Sequence, residues 1–173
     1  MTNNLNITGL NPAVADKITP MVEDLLGEHA SNIHSFHLVG SAVIPDYHEK
    51  LSDINSVVVL HNMDLRFIKF LAPLGKKYGK KRIAAPLVMT PEYIKTSLDA
   101  FPIEFLDFKL IHKTVYGHDL LQDLPHHLAQ EIRLVGGQAH PTLRRAASAA
   151  SAAWRTSPSL PARYTRPVAP IIR

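Results

Sequence analysis

The sequence predicts an α/β (α+β) fold, a mixed sheet flanked by helices and followed by an irregular C-terminal tail, on three observations. Apolar residues at helical spacing over about 12–29 give way to short β-branched runs at about 34–39 and 54–60. Helical and strand-like segments then alternate to about residue 117, the pattern expected when helices cover the faces of a sheet. From residue 136 the composition turns to Ala, Arg, Ser and Pro, which supplies few apolar anchors for a core.

In order along the chain, Asn11-Pro12 reads as an N-cap and a first-turn proline, and Val14, Ile18, Val22, Leu25 and Leu26 recur on one helical face. Strands at about 34–39 and 54–60 bracket a loop that opens with Gly40-Ser41. Asp64 caps a second helix expected to face the core with Leu65, Ile68 and Leu71 and to kink or end at Pro73. Gly75 to Lys81 then reads as a basic turn, and Ile83 to Met89 as a strand. Thr90-Pro91-Glu92 starts a short helix through about Leu98, and Ile103 to Val115 reads as a long apolar strand closed by Tyr116-Gly117-His118-Asp119.

At 173 residues and 46% hydrophobic content, the chain suits one domain with a real core. Residues 1–135 are expected to form it, with 136–173 an Ala/Arg/Pro-rich tail, disordered or shifted in reading frame. The absence of cysteine excludes disulfides, thiol nucleophiles and thiolate metal sites, and fits a reducing cytoplasm. No apolar stretch has the length of a membrane span. The basicity is uneven. Residues 1–130 hold twelve Lys or Arg against fourteen Asp or Glu, whereas residues 131–173 hold seven Arg against Glu131 alone. A duplex-binding footprint is therefore not expected on the core, and any nucleic-acid contact would belong to the Arg-rich tail.

The chemistry-bearing stretch is Val39-Gly40-Ser41, eleven residues, then Asp53-Ile54-Asn55. Glycine lets a backbone approach phosphates, the serine hydroxyl and free amides donate to them, and a carboxylate carries Mg²⁺. Period-two geometry puts Asp53 and Asn55 on one strand face and Ile54 on the other. With these residues the chain resembles the nucleotidyltransferase-like superfamily, the fold of polymerase beta and the aminoglycoside nucleotidyltransferases, over about residues 30–130. That pattern has Gly-Ser or Gly-Gly after an apolar residue, two carboxylates flanking an apolar residue, and a third carboxylate on a later strand. Asn55 departs from it, leaving a metal site one charge short.

The resemblance implies Mg²⁺ held by Asp53, Asn55 and a third acidic residue, with Gly40 and Ser41 against the triphosphate. Read on a strand, Glu104 and Asp107 point to opposite faces, and Ile103-Glu104-Phe105 fits the third position better, so Glu104 is assigned with Asp53 to catalysis. The implied activity is transfer of a nucleoside monophosphate from a nucleoside triphosphate to an unidentified hydroxyl acceptor. The alternative is a catalytically silent member that binds nucleotide or serves as a regulatory interaction module. The ten histidines show no metal spacing and read as structural or surface residues, His34 and His37 falling on opposite faces of a strand.

Overall fold

A computed structural model describes residues 5–45, 47–49 and 51–125, all within the unit Met1–Glu131. The tail expected at 136–173 lies outside the described residues. The element order is α1 (Pro12–His29), β1 (Ile33–Val39), a 3₁₀ turn (Gly40–Val43), β2 (Asn55–Leu60), α2 (Leu65–Gly79), β3 (Leu87–Met89), α3 (Pro91–Ser97), α4 (Pro102–Leu110) and β4 (His112–Gly117). The architecture among the described residues is the mixed α/β one that the sequence predicts, with strand order β3-β2-β1-β4. β1 runs antiparallel to both β2 and β4, and β2 runs parallel to β3.

The caps that shape the helices are local. Asn11 accepts from the Ala13 amide at 2.9 Å, Asp64 from Arg66 at 2.8 Å and Thr90 from Tyr93 at 3.1 Å, each satisfying a first-turn N–H that has no helical partner. On one sheet face, Val14, Ile18, Met21, Val22 and Leu25 of α1 and Phe67, Leu71, Leu74 and Tyr78 of α2 pack on Phe36, Leu38, Ile54, Val58 and Leu60. The opposite face carries Val39, Val57 and Val59, covered by Met89, Ile94 of α3, Phe105 of α4, and Leu121 and Leu124.

Three expectations change. α2 runs through Pro73, and its buried stripe is Phe67, Leu71, Leu74 and Tyr78, while Leu65 is 75% exposed. The spacing of four, three and four residues is a complete helical face, and docking it on the sheet holds the helix together despite the missing proline donor. Of the basic turn expected at 75–81, residues 75–79 are accordingly the end of this helix and Lys80-Lys81 form the turn that follows it. Tyr78 and Lys77 both donate to Asp24 Oδ2 of α1, at 2.6 and 2.7 Å, fastening the two helices. The strand expected at 83–89 shrinks to an isolated parallel bridge at Ile83 opposite Ile54 and to β3, with Pro86, which lacks an N–H, between them.

The third change concerns 103–115. Pro102 stands at the first position of α4, which ends at Leu110 before β4 begins at His112. An apolar run does not by itself distinguish helix from strand. Here Phe105 packs onto the second sheet face with Phe108 beside it, edge to face with ring centroids 6.0 Å apart. The strand geometry used to separate Glu104 from Asp107 therefore does not apply: three residues apart on a helix, they are neighbours.

Candidate functional site

Gly40 ends β1 with φ at +70°, in the left-handed region. A side-chain carbon there would meet nothing within 4 Å, so the backbone conformation, not crowding, calls for glycine. Its N–H donates to the Ile111 carbonyl at 3.1 Å, tying the turn to the start of β4. Ser41, half-buried, lies in the 3₁₀ turn that follows.

The strand register decides what surrounds this turn. Val39 pairs with Asn55 on one side and with His112 on the other. Directly opposed residues project to the same face of a sheet, so Asn55, Val39 and His112 form one row beside the turn, with Asp53 on the same face. Asp53 and Asn55 are exposed while Ile54 is fully buried, as the alternation requires. Asp53 pairs with the Arg82 guanidinium at 3.0 Å, and Arg82 also donates to the Leu51 carbonyl at 2.9 Å. An ion between these exposed oxygens would have to displace Arg82, at a cost of about 0–1 kcal/mol typical of surface pairs.

Glu104 sits in the first turn of α4, on the helix that covers this sheet face, and not on a strand next to Asp53. Asp107 follows one turn later; partial desolvation, with the Glu104 charge adding to it, holds its carboxyl above the ordinary range. Both carboxylates thus stay on the same side of the sheet as Asp53. The strand position that adjoins Val39 in the row is filled by His112.

Around His112 lies a network that the sequence reading passed over. His112 Nδ1 faces the Lys109 carbonyl at 3.2 Å and its Nε2 faces Asp119 Oδ1 at 2.8 Å. Burial works to raise the Asp119 pKa, but bonds from His112 first, then Thr114 and the Gln122 amide, leave it below the usual range. His37, fully buried in β1, places Nε2 2.8 Å from Ser35 Oγ and Nδ1 2.9 Å from Thr114 Oγ1. Burial, reinforced by the nearby His112, lowers its pKa to about 4, and the ring is neutral at neutral pH. His34 reaches the same Ser35 hydroxyl at 3.1 Å, so the two histidines expected on opposite faces share one partner. An irregularity in strand register between Ile33 and Ser35 breaks the alternation there.

No family model matches the chain, and no curated protein matches it. Among solved structures, it is similar to a mutant form of the MntA-HpeT toxin-antitoxin. The identity is 13% and the TM-score 0.40, over 78% of this chain and 97% of that one. What the chain does has to be read from its own residues. Among the described residues, no helix is long and apolar enough to cross a membrane.

Proposed function

We propose that this chain is a nucleotidyltransferase-like protein that holds a Mg²⁺-bound nucleoside triphosphate at the sheet end formed by Gly40, Ser41, Asp53 and Asn55, and that binding rather than transfer is its function. One observation carries the reading: in the row Asn55, Val39, His112, the position across β1 from the Asp53 strand is a histidine engaged with Asp119. Phosphoryl chemistry on two Mg²⁺ ions depends on several anionic oxygens to hold the metals. Here Asp53 supplies one charge, Asn55 only a carbonyl oxygen, and the third strand position a ring. The Gly40 turn and its exposed surroundings still suit a triphosphate.

The second reading is Mg²⁺-dependent transfer of a nucleoside monophosphate to a hydroxyl acceptor. It is favoured by Glu104 lying on the covering helix on the same side of the sheet, where it would serve as the further carboxylate. Calorimetric titration with ATP, with and without Mg²⁺, tests both readings in the natural chain, Asp53→Ala and Asn55→Asp. Metal-dependent binding that disappears in Asp53→Ala and tightens in Asn55→Asp is the expected result; flat titrations in all three would leave an interaction module that binds no nucleotide. Label from the α-phosphate of ATP appearing in the protein or an added acceptor would decide for transfer.

A further inference from the structure

We propose that His37, His112 and Asp119 form a binding site for a borderline divalent transition-metal ion of the zinc class, separate from the Mg²⁺-nucleotide site. The three residues come from β1, β4 and the segment after β4, and one ligand atom from each lies within 4.8 Å of the others. A zinc ion with bonds of about 2.0–2.2 Å draws its tetrahedral ligands to about 3.3–3.5 Å of one another. His112 Nε2 and Asp119 Oδ1 are already at 2.8 Å. On metal binding that pair would open slightly, the ligand atom of His37, within 4.8 Å of the others, would draw in, and Asp119, its side chain 44% exposed, would exchange hydrogen bonds for the ion.

The orientation of the His112 ring is that of a metal ligand. A ligating histidine usually donates its second N–H to a carbonyl, carboxylate or other fixed acceptor, which selects the tautomer and aims the free nitrogen. His112 Nδ1 is directed at the Lys109 carbonyl, which can only accept, and this aims Nε2 at Asp119. His37 Nε2 meets Ser35 Oγ, which also contacts His34 Nδ1. The other nitrogen, Nδ1, faces Thr114 Oγ1, and Thr114 shares a face of β4 with His112 two residues before it, so Nδ1 is the atom on the cluster side and would exchange the threonine contact for the ion. Binding would take the place of the direct contact between His112 Nε2 and Asp119 Oδ1.

Donor chemistry separates this site from the one at Asp53. Two imidazoles and a carboxylate suit zinc, cobalt or nickel, whereas Mg²⁺ demands an octahedron of oxygens. Asp53 and Asn55 offer only oxygens. His112 lies two strands from Asn55, about 10 Å at the usual inter-strand spacing, too far for one ion to bridge. The metal inference therefore stands whether or not nucleotide binds.

The test uses the untagged full chain after treatment with chelator, titrated with Zn²⁺ by calorimetry and with Co²⁺ by visible absorption. The expected result is one equivalent bound, with cobalt showing the d–d bands of a low-coordinate nitrogen-oxygen site, undiminished by millimolar Mg²⁺. Asp119→Asn should weaken Zn²⁺ at least about tenfold, and His112→Gln should do so further, while Asp53→Ala leaves the affinity unchanged. Circular dichroism establishes that each variant folds, and the half-buried Asp119, at the more accessible side of the cluster, makes its variant decisive should His112→Gln not fold. No stoichiometric binding, or binding that Asp119→Asn leaves intact, would overturn the site and assign any affinity to other histidines.

Discussion

His37 shows how one buried side chain sets a property of the protein. Its pKa falls from an ordinary 6.5 to about 4 because the sheet interior penalises the charged ring. The unfolded chain then binds the extra proton more readily than the folded one across that interval. Its contribution is fully present above about pH 6.5 and is lost as pH falls toward 4, amounting to about 3 kcal/mol by linkage. In metal-free protein, the urea midpoint should drop between pH 7 and pH 4.5, and His37→Gln, which keeps hydrogen-bonding capacity, should flatten that slope. An equally steep slope in the variant would place the titration elsewhere. Gly117 is a second position of this kind. It has φ at +77°, and a side-chain carbon there would lie 2.1 Å from the His34 carbonyl oxygen and 2.8 Å from Ser35 Cα. Because the obstacle is backbone, Gly117→Ala should cost about 3 kcal/mol or more, read as a lower denaturant midpoint.

At the scale of elements, local signals were legible where they were complete. Asn11-Pro12 and Thr90-Pro91 announced α1 and α3 because cap chemistry acts within a few residues, and the alternation Asp53, Ile54, Asn55 announced the edge of β2. α2 was misphased because Leu65 and Ile68 look like core residues, yet the docked stripe starts at Phe67. α4 was misread because Ile103, Phe105, Leu106 and Phe108 suit either period, and only contact with Val39 and Val57 decides. The proline inside α2 offers a direct measurement. Pro73 is exposed, so Pro73→Ala restores a helical N–H without disturbing the core and should raise the midpoint by about 1–3 kcal/mol. No gain would mean that the chain bends there for a packing reason.

Across the whole molecule, the candidate sites were legible only in part, since a site made from residues 37, 112 and 119 exists only once the strand order is known. Histidine spacing along the chain could not reveal it; the pairing of Val39 with His112 does. The strand geometry used to choose Glu104 over Asp107 does not hold, because both lie on a helix. Among the described residues, both hydrophobic clusters are built from residues 5–124. A chain ending at Glu131 should therefore fold with nearly the midpoint of the full-length protein, as thermal melts of the two would show. A fall of several degrees would mean that residues beyond Glu131 pack on the core.

The interior position of β1 also bears on how the chain reaches this state. Its pairing with β2 joins Phe36 to Val58, 22 residues apart, whereas its pairing with β4 joins His37 to Thr114 across 77. Closing the longer loop costs about 1 kcal/mol more in chain entropy. The β1–β2 pair is thus the cheaper nucleus, and during synthesis the far edge of β1, with its His37 and Ser35, waits unpaired until residue 112 and its successors emerge. That interval is when the nascent chain is open to pairing with another strand, and it ends when β4 closes the edge.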